Sequence, residues 1–544
     1  MRYLLFLCFA LVVFSCKKDD KKAEIEIEPS TDISAISAKP FRDFKVLDSK
    51  VILNESIWKV LEEQLKDFSE EKYTALKSLI LDQDIPTLQK HIVDGKLSYE
   101  LLTKFYLYRI KMFDRETDLS LNSVISLNPN AIEDAKAKDR EFLNKKMKHP
   151  VFGMPILLKD NINANQMPTT VGALALLKNS TEDAYITRRL KSSGAIILGK
   201  ANLSEWAYFF CGDCPSGYSA VGGQTLNPYG RKIIDTGGSS SGSGVAVTAD
   251  FCAAAVGSET AGSILSPASQ NSVVGLKPTI GLLSRSGIVP ISSTLDTPGP
   301  ITKNVIDNAI VLDAMKGFDK NDFKSIKSGS TQFFNGLSDA NLNGKRFGVF
   351  KELMKDSLYL NAIDVLRKQG AIIVEISEEK IELPDFIRLL NLDMKADLAT
   401  YFRTSASKSL QYDSIEDIME FNTKKSDIAM PYGQSLFEGV SKDKSTKEEF
   451  DVIKATLKTN GRQFFDIPMK SQNLVGILSI NNYHAGEAAV AEYPAITIPM
   501  GYTNKGVPEG LTLISKPLSE YSLLQWAYAY EQASRMRVAP RNYN

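Results

Sequence analysis

Two glycine-rich loops that carry serines flank an apolar stretch near the middle of the chain. The first loop reads GGSSSG, from Gly237 to Gly242, and the second ends at Ser263. Glycine lets a backbone approach a ligand closely, and a serine hydroxyl beside a base can attack a carbonyl group. A flexible linker would not need the apolar residues 245–256 between the loops. The pattern therefore indicates two loops held at a fixed separation for nucleophilic chemistry.

A serine nucleophile needs a base, and histidine is the usual one. The chain contains three histidines, His91, His149 and His484. The residues GSSSG match the G-x-S-x-G elbow of α/β-hydrolases with Ser240 as nucleophile, and only His484 lies downstream, where that chain order requires a histidine. The elbow serine should directly follow a strand, but the preceding residues RKIIDTGG predict only a poor one. The histidine interpretation is therefore the weaker one.

A lysine offers a second candidate base. Lys159 stands directly after the apolar run of PILLKDNI, residues 155–162. A free lysine has a pKa of about 10.4 and is a poor base at neutral pH, but burial disfavours its charged form and lowers that pKa. The neighbouring Asp160 would oppose this shift if its carboxylate faced the same way. We expect Lys159 to be buried and to accept a proton from a serine.

Several motifs, in order along the chain, resemble the amidase signature family. They are KDNINANQMPTT, GKANLSEWA, GGQTLNPYG, GGSSSGSG, ETAGS and VPISSTLDTPGPITKNV. They are most similar to the peptide amidase branch of that family, and the resemblance spans about residues 85–540. It implies an α/β chain with the amidase signature fold, in which a large mixed β-sheet is covered by helices on both faces.

The resemblance also implies the roles of the site residues. Lys159 would be the base, Ser239 the bridging serine and Ser263 the nucleophile of a Ser-cisSer-Lys triad, with twenty-four residues between the two serines. Backbone N–H groups would form the oxyanion hole and two side chains would support the loops. The residues expected in these positions are Thr260, Ala261, Gly262 and Ser263 for the oxyanion hole, and Ser240 and Glu259 for support.

The expected reaction is hydrolysis of a linear carboxylic amide to an acid and ammonia through an acyl-enzyme, without metal or cofactor. The substrate would be a small-molecule or peptide amide whose identity the sequence does not name. Glu259 and Ala261 replace the Asp and Gly of the usual DTGGS motif, and Leu265 stands where many members have Arg. These departures concern substrate and rate more than reaction type.

Two alternative functions stay open. The A-type subunit of a tRNA-dependent amidotransferase shares the core motifs, but it would work with partner subunits in the cytoplasm. A surface lipoprotein could bind a ligand on an inactive amidase scaffold, although the complete triad argues against it. With 65 acidic and 65 basic side chains, the net charge of zero gives no support for a nucleic-acid partner. The sequence leaves the oligomeric state open.

The N-terminus predicts export and lipidation. Arg2 precedes a twelve-residue apolar run, Tyr3–Phe14, which is shorter than the roughly 20 residues of a spanning helix but suits a signal peptide. The following VFSC resembles a bacterial lipobox, which implies cleavage after Ser15 and lipid on Cys16. We therefore expect a protein anchored by lipid to a bacterial membrane, on its periplasmic or cell-surface side. The predicted parts are a signal peptide at 1–15, a charged tether at 16–45 and an amidase domain at 46–544, with a variable helical insert around 375–470.

The elements that must position the loops alternate between helix and strand. Apolar residues spaced by three and four predict helices within residues 50–115. Farther along, the pattern predicts a helix that ends at Gly194, a strand over 195–198 and another helix that begins near Asn202. The same helix–strand order recurs in residues 359–376. This alternation is typical of a sheet covered on both faces.

Three cysteines lie outside the predicted leader. Cys211 and Cys214 have the C-x-x-C spacing of a redox pair, and Cys252 stands apart from them. A second pair that would complete a structural zinc site is absent from the sequence. Whether any of these cysteines forms a disulfide stays open at this point.

Overall fold

The structure is a computed structural model that describes residues 47–52, 57–59, 61–115, 117–144, 149–327, 329 and 332–543. The predicted signal peptide, Cys16 and the tether lie outside the described residues. Among the described residues, every helix falls short of the length and apolarity that crossing a bilayer requires.

An 11-stranded mixed sheet forms the centre of the protein, and a separate two-stranded sheet is formed by β4 and β5. The strands are β1 (Val124–Leu127), β2 (Pro155–Lys159), β3 (Ile196–Ala201), β4 (Tyr218–Ser219), β5 (Gly223–Gln224), β6 (Ala254–Glu259), β7 (Val274–Lys277), β8 (Thr297–Thr302), β9 (Arg346–Phe350), β10 (Ile372–Ile376), β11 (Gly476–Ile480), β12 (Ala495–Tyr502) and β13 (Pro508–Ile514). The order in the large sheet is β1-β3-β2-β6-β8-β7-β12-β13-β11-β9-β10. With helices on both faces, it confirms the predicted α/β class and the large mixed sheet.

The helices lie before, between and after these strands. In chain order they are α1 (Glu62–Leu65), α2 (Glu70–Ile80), α3 (Ile85–Val93), α4 (Tyr99–Phe113), α5 (Ala131–Leu143), α6 (Tyr185–Ser192), α7 (Ser241–Thr248), α8 (Leu265–Gln270), α9 (Val305–Met315), α10 (Ser357–Lys368), α11 (Phe386–Thr404), α12 (Ile415–Thr423), α13 (Ser426–Ala429), α14 (Ser435–Lys442), α15 (Lys447–Ser471), α16 (Ala485–Val490) and α17 (Glu520–Ser534). Residues 386–471, within the region expected to be a helical insert, are mainly helical.

Strands β2 and β6 are adjacent, parallel and buried along their whole length. Their apolar runs are those of strands covered on both faces of a sheet. Because the carboxyl ends of parallel strands meet at one edge, Lys159 at the end of β2 comes close to the loop that follows Glu259 at the end of β6. The two loops singled out in the sequence are therefore joined by a buried helix, α7, and a central strand, β6.

The helix predicted to begin near Asn202 is wrong. Residues 205–208 form a short 3-10 turn in which Trp206, Ala207 and Tyr208 have φ values of 52°, 54° and 78°. The side chain of Asn202 explains the difference, because its amide donates to three acceptors on other loops while its oxygen accepts the amide of Leu203 at 2.9 Å. These contacts fix a loop where the periodicity indicated a helix.

The helices of residues 386–457 share an apolar core with the segment Leu203–Cys214, separate from the core around the sheet. Cys211 and Cys214 are joined by a disulfide at the end of this segment, and Cys252 is a buried free thiol. The amide of Leu436 donates to the carbonyl of Phe210 at 3.0 Å. The helical region is thereby attached to the loop that leads into the candidate site.

Candidate active site

Lys159 and Ser239 form the centre of the candidate site. Both side chains are completely buried, and Lys159 Nζ donates a hydrogen bond to Ser239 Oγ at 2.7 Å. Lys159 Nζ also donates to the carbonyl of Ser258 at 3.0 Å. The lysine predicted as base and the serine predicted as bridge are therefore in direct contact, although eighty residues separate them in sequence.

Backbone contacts hold the two serine loops together. The Gly238–Ser239 peptide bond is cis, and the carbonyl of Ser239 accepts the amide of Ser204 at 3.0 Å. The amide of Ser240 donates to the carbonyl of Ser263 at 3.2 Å. The structure therefore brings Ser263 to the loop that contains Ser239.

Ser240 has its own set of contacts. Its hydroxyl donates to the carbonyl of Ser258 at 3.1 Å and accepts the amide of Ser258 at 3.2 Å. The same carbonyl accepts the hydrogen bond from Lys159. Ser240 thus fastens the end of β6 beneath the site, which fits the supporting position expected for it.

Burial sets the charge state of Lys159. Removal from water lowers its pKa to about 7, while the negative charges of Asp296 and Glu259 act in the opposite direction. The neighbouring Asp160 does not face Lys159, since its Oδ1 lies 3.0 Å from Nζ of Lys200 and its carboxylate accepts the amide of Thr170 at 3.1 Å. A neutral amine is therefore available near neutral pH, as the base role requires.

The loop after β6 has the shape expected of an oxyanion hole. Among the described residues, no hydrogen-bond partner is found for the amides of Ala261, Gly262 and Ser263. Gly262 has a φ of 86°, and a Cβ there would lie 2.7 Å from Nδ2 of Asn482, so only glycine fits. Ala261 needs no left-handed conformation, because only Gly262 in this loop has a positive φ.

Glu259 acts on the same loop from the other side. Its Oε2 accepts the amides of Ile264 and Leu265 at 2.7 and 3.0 Å. These are the amides at the start of α8, where a carboxylate is favoured by the unsatisfied N–H groups and the helix dipole. The carboxylate therefore fixes the chain directly after Ser263 without the arginine that Leu265 replaces.

A cleft of about 940 Å³ opens beside these residues. Ser258 and Thr260 at the end of β6 line it, together with Ala207 of the left-handed turn and Asp397 and Tyr401 of α11. The cleft is large enough for a small molecule or a few peptide residues. The helical region of residues 386–471 thus contributes one wall.

The histidine interpretation fails on geometry. Ser240 is not preceded by a strand, because residues 225–240 contain none. His484 Nδ1 lies 2.6 Å from Ser479 Oγ, and its ring stacks on Phe350 with centroids 4.4 Å apart. The histidine is buried in a core that does not include Ser240 or Ser263.

We expect the His484→Ala variant to keep most of its activity once folded. His484 has a serine, an aromatic ring and Glu378 as neighbours, so its loss should lower stability by about 1–3 kcal/mol through the unpaired Ser479 hydroxyl and the cavity. Turnover and thermal unfolding of this variant, measured beside a Ser479→Ala control, test the expectation. A fall in turnover of about 10³-fold in a folded His484→Ala protein would restore histidine as the base.

The mixed sheet with glycine–serine loops at the ends of adjoining strands defines an amidase-type α/β protein. Residues 102–432 match the family described as Amidase. The chain belongs to this family, which confirms the resemblance at that level.

Several relatives are similar to the chain over most of its length. The structure of an amidase family protein from Bacillus anthracis has a TM-score of 0.88 and 37% identity and covers 91% of this chain and 100% of its own. The native peptide amidase from Stenotrophomonas maltophilia has a TM-score of 0.79 and 37% identity, over 85% and 98% of the two chains. The glutamyl-tRNA(Gln) amidotransferase of Caldanaerobacter subterraneus has one subunit that is 32% identical over 488 residues, which are 82% of this chain and 95% of that protein.

Two contributors to the site escaped the sequence analysis. Asp296 accepts the hydroxyl of Thr260 at 2.6 Å and acts electrostatically on Lys159. Ser258 offers its carbonyl to both Lys159 and Ser240. Asp296 lies within the quoted VPISSTLDTPGP motif, but its residue type alone did not distinguish it from other loop acids. Within the described ranges, no three His, Cys, Asp or Glu side chains converge in a way that could hold a metal ion.

Proposed function

We propose that the protein is a serine amidohydrolase that converts a linear carboxylic amide into an acid and ammonia. The observation that carries this proposal is the buried contact of 2.7 Å between Lys159 and Ser239, beside a loop that ends in Ser263. A lysine with a pKa of about 7 can accept a proton from a serine at neutral pH.

In the proposed mechanism, Ser263 Oγ attacks the amide carbon and passes its proton to Ser239, whose own proton moves to Lys159. The backbone N–H groups of the 260–263 loop stabilise the negative oxygen of the tetrahedral intermediate. The lysine proton returns through Ser239 to the leaving nitrogen, the C–N bond breaks and ammonia departs. Water then attacks the acyl-enzyme by the same proton route and releases the acid and free Ser263.

Amide hydrolysis without a partner is favoured over the two alternatives. The structural neighbours at 37% identity are an amidase family protein and a peptide amidase, whereas the matching amidotransferase subunit is 32% identical. A ligand-binding scaffold without activity would not need a buried lysine held against a buried serine, because an unused buried amine is unfavourable.

Release of ammonia tests the proposal. Purified protein should release ammonia from at least one of three substrate classes, namely C-terminal peptide amides, fatty amides and aryl amides. The Ser263→Ala variant, prepared in the same way, is the matched control and should release none. Failure of all three classes, together with absence of labelling by a fluorophosphonate, would favour the inactive scaffold.

We also expect the mature protein to carry lipid on Cys16. The support is the VFSC sequence after the apolar run Tyr3–Phe14. Mass spectrometry of protein expressed in a bacterium should show an N-terminal acylated Cys16, and Cys16→Ser should abolish both the acylation and membrane association. A mature N-terminus at another residue would contradict the lipid anchor and leave the catalytic proposal unaffected.

A further inference from the structure

One wall of the cleft is built around three carboxylates. The backbone amides of residues 291–294 donate to Asp296, Asp393 and Asp397 at distances between 2.6 and 3.2 Å. Asp393 and Asp397 stand four residues apart on α11, and therefore on the same face of that helix. The loop thus gathers three acids from two parts of the chain beside the candidate catalytic residues.

These carboxylates lack a counter-ion. In the part of the chain that the structure describes, no lysine, arginine or histidine forms an ion pair with any of them. The nearest cations act from a distance: Arg285 is already paired with Asp322, its Nε 2.9 Å from Oδ2, and Lys454 lies over the ring of Phe450 at 4.6 Å.

The missing counter-ion is visible in the acidity of the cluster. Burial, together with the neighbouring carboxylates Asp393 and Asp296, raises the pKa of Asp397 to about 7. Burial raises the pKa of Asp296 to about 6. A cation placed in the cleft would favour the ionised form of these groups and be bound in return.

The other charged residues of the cleft do not fill this role. Asp183 pairs with Lys191 at 2.7 Å, and the remaining ones are exposed at the rim. These exposed rim residues are Glu182, Arg188 and Lys408. The cation that the cluster lacks must therefore come from outside the described chain.

A buried amide at the catalytic end of the cleft also lacks a partner. Asn161 is 2% exposed and lines the cleft, and its Nδ2 donates to Ser258 Oγ at 2.9 Å. Its Oδ1 has no donor among the described residues. A buried acceptor of this kind requires an N–H or O–H from a ligand or water, since leaving it unpaired is unfavourable. The cleft is thus short of hydrogen-bond donors at two places.

We infer that the substrate is a linear amide that also carries a protonated amine, and that the carboxylate of Asp397 binds this ammonium group in the cleft. The inference rests on the proposed function. An ammonium group supplies both the charge and the N–H donors that the wall lacks, and hydrogen bonds between ionised groups are the stronger kind. A metal ion is a poor alternative, because the described acids do not form a metal-binding group.

Matched substrates test the inference. Linear primary amides that end in an ammonium group are compared, at graded chain lengths, with isosteres that end in a methyl group. At about pH 8, we expect kcat/KM for the best amino amide to exceed that of its isostere roughly ten- to a hundredfold, mainly through KM. Asp397→Asn should reduce this ratio to near one and leave kcat/KM of the isostere unchanged.

Two controls make the result specific. Asp385→Asn removes an exposed acid directly before the same helix and should leave the ratio as in wild type. In wild type, the ratio should rise from about pH 6 to about pH 8 as Asp397 ionises, and titration of Lys159 cancels because it affects both substrates. If Asp397→Asn does not fold, the wild-type ratio and its pH dependence decide the matter.

The outcomes separate the inference from the proposed function. Hydrolysis of both substrates with equal kcat/KM at every chain length would overturn the ammonium site and leave amide hydrolysis standing. Ammonia release from neither substrate, nor from the amides of the wider screen, would overturn the proposed function and the inference with it. A wild-type preference that Asp397→Asn does not reduce would show that another group binds the cation and would overturn the role of Asp397.

Discussion

The Ser263→Ala variant should lose both amide turnover and covalent labelling by a fluorophosphonate, with turnover falling on the order of 10⁴-fold or more. The physical reason is that the acyl group needs an oxygen nucleophile, and Ser263 supplies the hydroxyl at the end of the loop with the free amides. The substitution removes one oxygen atom at a position that is 8% exposed, so the fold should be retained. Thermal unfolding of the variant checks this directly.

Two neighbouring serines provide matched controls for Ser263. Ser239→Ala removes the hydroxyl that accepts the hydrogen bond from Lys159, so turnover and labelling should both slow severely, yet any residual label should map to Ser263. Ser240→Ala removes only the contacts with the backbone of Ser258 and should be the mildest of the three. Peptide mapping by mass spectrometry locates the label in each variant.

The position of the label distinguishes the interpretations. An adduct on Ser240 would support the elbow of an α/β-hydrolase, and an adduct on Ser239 would reverse the roles assigned to the bridging serine and the nucleophile. Absence of any label in folded wild-type protein that also releases no ammonia would support the inactive scaffold.

The central part of the fold and site could be predicted because it is coded locally. The run PILLK indicates a strand buried on both faces, and a lysine at the end of such a strand is necessarily desolvated. Glycine and serine at fixed spacing likewise mark the two loops, and Gly262 has the left-handed conformation that such a loop requires. These features depend on residues close together in the sequence.

The remaining parts of the site depend on contacts between distant residues. Asp296 meets Thr260 across thirty-six residues, and the loop containing Asp296 is held by Asp397, a hundred residues later on α11. No periodicity links these positions, so their carboxylates look like ordinary polar residues in the sequence. The helix expected near Asn202 failed for the same reason, since side-chain contacts with other loops override a local pattern.

Replacing Lys159 should remove the base and reduce turnover about 10²–10⁴-fold. Lys159→Met is the sharper variant, because methionine fills most of the buried volume without an amine, whereas Lys159→Ala leaves a cavity. Both variants should keep Ser263 in place, so slow labelling should still map to that residue. Near-normal turnover in a folded Lys159→Met protein would remove the proposed mechanism.

The pH dependence of the wild-type enzyme tests the same lysine without mutation. The amine is a base only when neutral, and burial lowers its pKa to about 7. Activity toward an uncharged amide should therefore be full above this pKa and be lost as the pH falls through about 7. The kcat/KM profile against pH measures the midpoint.

Two carboxylates titrate near the same pH, and their variants separate them from the lysine. Asp296 favours the charged form of Lys159, so Asp296→Asn should move the midpoint to lower pH while the rising limb persists. Asp397→Asn should leave the midpoint unchanged for an uncharged substrate, because Asp397 is not among the charges that act on Lys159. If Asp296 itself were the base, Asp296→Asn would instead abolish the limb together with the activity. A limb that survives Asp296→Asn and disappears with Lys159→Met would therefore assign the base to the lysine.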